Sequence, residues 1–127
     1  MYQVVYRKLQ QTATAQTTVP YDDLMQLAEL SPFDRTDWAR LLQVLGQIDR
    51  REHQQGRPLL SAVAVSQYVG ISGAAFFQQA ETLGRYAGGS EPRFWQEERD
   101  RVHAAWRCHR PRSFGDAVRT FFVGSRA

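Results

Sequence analysis

Asp49, Glu52 and His53 lie within about one helical turn of each other, near the end of the longest periodic stretch of the chain. Two carboxyls beside an imidazole are side chains that can shuttle protons near neutral pH or ligate a metal ion. Either task needs further partners, and no other histidine and no cysteine stands at ligand spacing beside them. At a helix C-terminus a simpler expectation holds: His53 meets the negative end of the dipole, and Asp49, Arg50, Arg51 and Glu52 form a solvated end. Cys108 beside His109 could be a thiolate activated by an imidazole and by nearby arginines. Adjacent residues on a helix point about 100° apart, so adjacency does not set the sulfur against the ring, and an ordinary thiol is expected. Gly70, Ser72 and Gly73 precede a helix, where backbone amides can bind an anion. No Gly-Lys-Ser or Gly-Lys-Thr accompanies them, and the glycines are expected to serve the turn. Asp22 and Asp23 are expected as first-turn helix charges and not as a metal pair. No catalytic residue, metal site or cofactor is expected, and the chain leans away from an enzyme.

The arginines suggest a different chemistry. The net charge of +3 hides an asymmetry: residues 1–98 carry nine basic and eleven acidic side chains, residues 99–127 seven arginines against Asp100 and Asp116. Fifteen of the sixteen basic residues are arginine, whose planar fork of donors matches phosphate or carboxylate. Arg99, Arg101, Arg107, Arg110 and Arg112 are the candidate phosphate contacts of a nucleic-acid-binding surface. Phe114, Phe121 and Phe122, interleaved with Arg107, Arg110, Arg112 and Arg119, are the candidate partner-binding residues, a mixture suited either to a nucleic-acid backbone or to an acidic protein groove. Trp38, Trp95 and Trp106, with Phe76, Phe77 and Phe94, could stack bases; at helical spacing they are expected in the core.

Helices have to position these side chains. In residues 1–15, Tyr2, Val4 and Tyr6 alternate as in a strand, while Tyr2, Tyr6 and Leu9 share one helical face; a helix is favoured. Thr18 or a neighbour is expected to cap a short helix that buries Tyr21, Leu24, Leu27 and Ala28. Trp38, Leu41, Leu42, Leu45 and Ile48 predict an amphipathic helix over 35–54, ended by Gly56 in the left-handed conformation. The valine-rich run 59–65 reads as a buried strand. Ser72 is expected to cap a helix over 73–86 with Phe76, Phe77, Ala80 and Leu83 on its apolar face. Trp95, Val102, Ala105 and Trp106 predict a helix over 93–107, with Glu97 and Arg101 paired on its wet side. The long helix is expected to pack against both of these later helices.

Two stretches carry a resemblance: Thr-Val-Pro-Tyr-Asp-Asp-Leu-Met-Gln-Leu-Ala at 18–28 and Gly-Arg-Pro-Leu-Leu-Ser-Ala-Val-Ala-Val at 56–65. They resemble small bacterial proteins with a threonine–tyrosine helix start, a long helix, and a strand introduced by Gly-Arg-Pro-Leu-Leu. That layout is similar in outline to the winged-helix DNA-binding domain of the alkyltransferase-like proteins, where a tyrosine begins the first helix of a helix-turn-helix. The resemblance implies DNA binding. The alkyltransferases place a reactive cysteine in a Pro-Cys-His-Arg-Val motif on the strand after the recognition helix, and this chain has Leu59, Leu60, Ser61, Ala62 and Val63 there. Cys108-His109-Arg110 spells the middle of that motif but follows a further helix and precedes Pro111, so it is read as coincidence.

A chain of 127 residues, 43% of them hydrophobic, suffices for one core. No apolar run approaches the roughly 18 residues of a membrane span, and the first eleven residues lack a secretory pattern. The single cysteine excludes an internal disulfide. A cytoplasmic protein with no membrane partner is expected. The predicted class is mainly α (α+β): a compact helical domain over 1–110 with a small sheet, winged-helix-like by resemblance. Residues 111–127 form a basic aromatic tail that either stands out or packs on the domain. The function expected is a non-catalytic binding module, nucleic-acid (DNA) binding or regulatory. The alternative is a protein-interaction or adaptor subunit, for instance a homodimer.

Overall fold

The first segment is a helix, α1 (Tyr2–Thr14), because Val5, Leu9, Thr12 and Ala13 form a buried stripe that a strand would split between two faces. These elements come from a computed structural model that describes residues 1–107. The expectations for Cys108, His109, Arg110, Arg112, Phe114, Phe121, Phe122 and the 111–127 tail lie outside the described residues. Five α-helices, a short 3-10 turn and a two-stranded sheet make up the described chain, which is mainly helical. Beyond α1, Gln16 takes a left-handed φ of 62°. Its side-chain amide donates to the carbonyls of Ala13 (2.8 Å) and His103 (2.7 Å), tying the end of α1 to the last helix.

β1 (Val19–Pro20) leads directly into α2 (Tyr21–Leu27), whose N-cap is Pro20 and carries no side-chain cap. Thr18 is therefore not the cap, although Asp22 and Asp23 do lie in the first turn. Leu24 and Met25 are the buried residues of α2, while Leu27 is exposed. The chain turns at Glu29 (φ 60°), and the next leucine, Leu30, enters the core instead.

α3 (Arg35–Gln54) is capped by Asp34, whose carboxylate accepts from Thr36 N at 2.7 Å and Asp37 N at 3.2 Å. Leu41, Leu45 and Ile48 face the core, and the helix ends before Gly56 at φ 76° as the sequence predicts. The run 59–65 is a strand only in its last two residues. Leu60–Val63 form a 3-10 turn, and β2 (Ala64–Val65) pairs in parallel with β1, Val19 against Ala64 and Pro20 against Val65. Two backbone amides of that run are taken by buried carboxylates, described below, so no neighbouring strand is needed to satisfy them. The ladder is parallel and joins segments far apart in sequence, whereas the wing of a winged helix is an antiparallel hairpin.

The 66–71 loop is closed by Ser66 N donating to Ile71 O and Gly70 N to Ser66 O. Ser72 does not cap α4 (Ala74–Thr82). Its hydroxyl donates to Ala64 O at 2.7 Å, and Gly73 is the N-cap without a side-chain bond. In α5 (Glu91–Arg107), Glu97 pairs with Arg93 and Arg101 pairs with Glu98, in place of the expected Glu97–Arg101 pair. α1, α3 and α5 enclose the 3-10 turn, so α3 meets α5 chiefly through that turn, while α4 lies directly on α3. Trp95, Trp106, Phe76 and Phe77 are buried and Trp38 and Phe94 partly so, which makes them core. Trp95 donates its indole N–H to Ala62 O at 2.8 Å, and Trp38 donates to Pro32 O at 2.6 Å. Among the described residues no helix is long and apolar enough to cross a membrane.

Candidate functional site

Asp49 and Glu52 are not a solvated helix end. Both are buried, as is Glu98 on α5, and the three carboxylates converge on the 57–61 segment, Glu52 on the Arg57 side chain and the other two on backbone amides. The sequence held the signal. Glu52 continues the Leu41, Leu45, Ile48 spacing, Asp49 stands four residues after Leu45, and Glu98 lies between Trp95 and Val102 on the apolar stripe of α5. Charged residues on a buried stripe must be compensated, because a desolvated ion without partners costs several kcal/mol.

Two of the three have arginines. Glu52 takes a two-pronged bond from Arg57 (Nε 2.7 Å, Nη2 2.9 Å) and accepts from the Tyr6 hydroxyl at 3.1 Å. Burial first, and then the Glu52 charge, raise the Tyr6 phenol above its usual range, while the bond to Glu52 raises Arg57. Glu98 takes the fork of Arg85 (Nε 2.8 Å, Nη2 2.9 Å), Arg101 Nη1 at 2.9 Å and the backbone N–H of Leu59 at 2.8 Å. Asp49 accepts instead from Ser61, from its N–H at 3.0 Å and from its hydroxyl. Burial pushes the Asp49 carboxyl up to about 7; the two Ser61 bonds oppose that rise, and the Glu98 and Glu52 charges add to it.

Four residues of the Gly-Arg-Pro-Leu-Leu-Ser stretch are thereby explained. Gly56 turns the chain, Arg57 returns to Glu52, Leu59 offers its amide to Glu98, and Ser61 closes on Asp49. The acid–base relay considered for Asp49, Glu52 and His53 is not assembled. The bonds of Glu52 go to Arg57 and Tyr6, those of Asp49 go to Ser61, and no side-chain hydrogen bond joins His53 to either. Among the described residues no group of three or more histidine, cysteine, aspartate or glutamate side chains is placed to hold a metal ion.

A cavity of about 270 Å³ opens between α3 and α4, with Asp49 and Ser61 among its lining residues. Tyr21, Leu45 and Phe76 form walls, and Leu42, Gln78 and Thr82, all exposed, stand at the mouth. The Tyr21 hydroxyl accepts from Gly73 N at 2.8 Å, joining the start of α2 to the start of α4. Burial raises its phenol above the usual range, against the bond from Gly73.

Of the arginines expected at phosphates, Arg99 lies over the Trp95 ring at 4.9 Å and pairs with Asp100 at 2.8 Å. Arg101 is held by Glu98, and Arg107 is exposed. A different basic face emerges on α3. Thr36, Arg40, Gln43, Gln47, Arg50 and Gln54 recur at spacings of four and three, and all are exposed. At about 100° per residue they fall in one stripe opposite Leu41, Leu45 and Glu52. Comparison with protein-family models, with curated proteins and with solved structures finds no match to this chain.

Proposed function

We propose that the protein is a non-catalytic nucleic-acid-binding module that presents the outer face of α3 to duplex DNA. The observation that carries this reading is the Thr36, Arg40, Gln43, Gln47, Arg50, Gln54 stripe, exposed along its length and free of carboxylates. Arginine matches the major-groove edge of guanine and glutamine that of adenine, and an α-helix fits that groove. The order of a short helix that begins at Tyr21, a turn, and a long helix supports it through the resemblance to the alkyltransferase-like domain, although the turn over 28–34 is longer than in a tight helix-turn-helix. Arg40 pairs with Asp37 only at 3.7 Å, with 60% of its side chain exposed, and can turn to a nucleic acid at small cost. Arg107, exposed at the end of α5, supplies a phosphate contact, and Arg110 and Arg112 follow it in the sequence. Arg99 and Arg101 already serve carboxylates of their own helix and contribute less.

The test is fluorescence anisotropy of the full chain on generic duplex DNA across a salt series. Binding at low salt that falls steeply as salt rises is expected, and the Arg40→Ala, Arg50→Ala double variant weakens it about tenfold or more. No measurable affinity for duplex DNA at low salt removes the reading. A protein-interaction module is the second reading, favoured by Tyr68 (87% exposed) and Val69 (70% exposed) at the tip of the 66–71 loop. In its homodimer form, sedimentation shows a dimer or larger species that Tyr68→Ser dissociates, and a monomer at every concentration removes that form.

A further inference from the structure

The three buried carboxylates are not compensated alike. Glu52 and Glu98 each have an arginine fork, whereas no ion pair reaches Asp49 among the described residues. Asp49 is also the one of the three that lines the cavity between α3 and α4. Arg50, whose guanidinium lies beside Gly46 at the cavity's edge, forms no ion pair with it. The groups facing Asp49 are the amide and hydroxyl of Ser61, while Glu52 and Glu98 add negative charge from behind. Each Asp49 oxygen accepts one bond from Ser61 and keeps a further lone pair, and the group in its ionised form has no cationic side chain paired with it among the described residues.

We infer that this cavity is a binding site for a small organic cation, an ammonium on a short apolar body, whose charge meets Asp49 and whose body packs on Leu45, Phe76 and the Tyr21 ring. A cavity of roughly 150 Å³ holds benzene, so about 270 Å³ accommodates a single ring with an aminomethyl arm. The amides of Gln78 and Gln79 at the rim offer acceptors to an ammonium that leaves donors unused at Asp49. The Leu45, Phe76 and Tyr21 side chains lower the local dielectric on one side of the charge, which strengthens the pairing relative to bulk water. The cation site and the DNA-facing stripe share no bonding side chain, Arg50 of the stripe standing only at the cavity's edge, and their tests use different probes.

The probe is benzylammonium, with benzyl alcohol as its uncharged counterpart, titrated into the full chain and followed by two-dimensional amide NMR. Benzylammonium shifts the amides of Leu45, Ser61, Phe76 and Gln79 in a saturable manner. It binds at least about tenfold more tightly than benzyl alcohol, the size of one hydrogen bond to a charged group. Asp49→Asn brings the two probes to similar affinity. Leu42→Trp, at the exposed mouth, blocks both while the spectrum remains that of the folded chain. If Asp49→Asn does not fold, the preference of the wild type between the two probes and the effect of Leu42→Trp decide the matter. No saturable shift, equal binding of the two probes, or shifts away from the cavity overturn the inference.

Discussion

Glu98 is the side chain whose removal the structure penalises most clearly. Its Oε2 accepts from Leu59 N and Arg85 Nε, both at 2.8 Å, and its Oε1 from Arg85 Nη2 and Arg101 Nη1, both at 2.9 Å. Breaking a buried ion pair by deleting one partner costs about 3–5 kcal/mol, mainly because the other partner is left uncompensated. Arg85 and Arg101 are 24% and 53% exposed and recover part of their hydration, so the lower end applies. Leu59 is fully buried, and its orphaned amide contributes about 1–3 kcal/mol of that loss. Glu98→Ala is therefore expected to destabilise the fold by about 3 kcal/mol, a large share of the roughly 5–15 kcal/mol that holds a domain together. Glu98→Gln keeps the volume and one acceptor for Leu59 and should lose about 1–2 kcal/mol. Urea unfolding measures both. With a slope of about 1–3 kcal/mol/M, Glu98→Ala moves the midpoint down by about 1–3 M at unchanged slope. Glu97→Ala, which removes a 3.4 Å pair from the surface, stays within about 1 kcal/mol. Equal midpoints for Glu98→Ala and Glu97→Ala would show that Glu98 does not hold the 57–61 segment, and the reasoning fails.

Three further outcomes follow from the same geometry. The Asp49 carboxyl is raised from 3.8 to about 7, so between those values the native state holds a proton that the unfolded chain has released. Its contribution to stability is full below pH 3.8 and is lost as pH rises towards 7, by up to about 1.4 kcal/mol per pH unit; urea unfolding of wild type and Asp49→Asn should show the variant gaining relative stability from pH 5 to 7, and a pH-independent difference contradicts the assignment. Tyr21→Phe removes the acceptor for Gly73 N and is expected to cost about 1–2 kcal/mol, with faster amide exchange at Gly73; unchanged exchange there refutes the contact. Gly56→Ala places a Cβ at φ 76° with nothing within 4 Å, so the cost is that of the backbone alone, about 1–2 kcal/mol by thermal unfolding, and a loss of 4 kcal/mol or more points to a steric contact instead.

The long helix was legible because a repeat of Trp38, Leu41, Leu45 and Ile48 is a local pattern with one solution, and Gly56 as its stop follows from the same logic. The stripe on α3 was equally present in the sequence, but Thr36, Arg40, Gln43, Gln47, Arg50 and Gln54 gain meaning only when the buried side is known. The arginine-rich end is a feature of composition alone. Composition says nothing of pairing, and Arg99 and Arg101 proved to be held within α5.

The amino-acid sequence by itself determined where helices form and most of the aromatic and aliphatic core, because helical periodicity and turn residues act over a few positions; Leu27 and Leu42, expected on buried faces, lie exposed. Tertiary structure decided the fate of the charges and of the 59–65 run. Leu59 meets Glu98 across 39 positions and Ser61 meets Asp49 across 12, and these bonds turn a valine-rich segment from strand into a 3-10 turn. A carboxylate at the end of a helix reads as solvated until a distant segment covers it. Whether it is then paired with an arginine, as Glu52 is, or left facing a cavity, as Asp49 is, depends on which side chains the fold brings within hydrogen-bond reach.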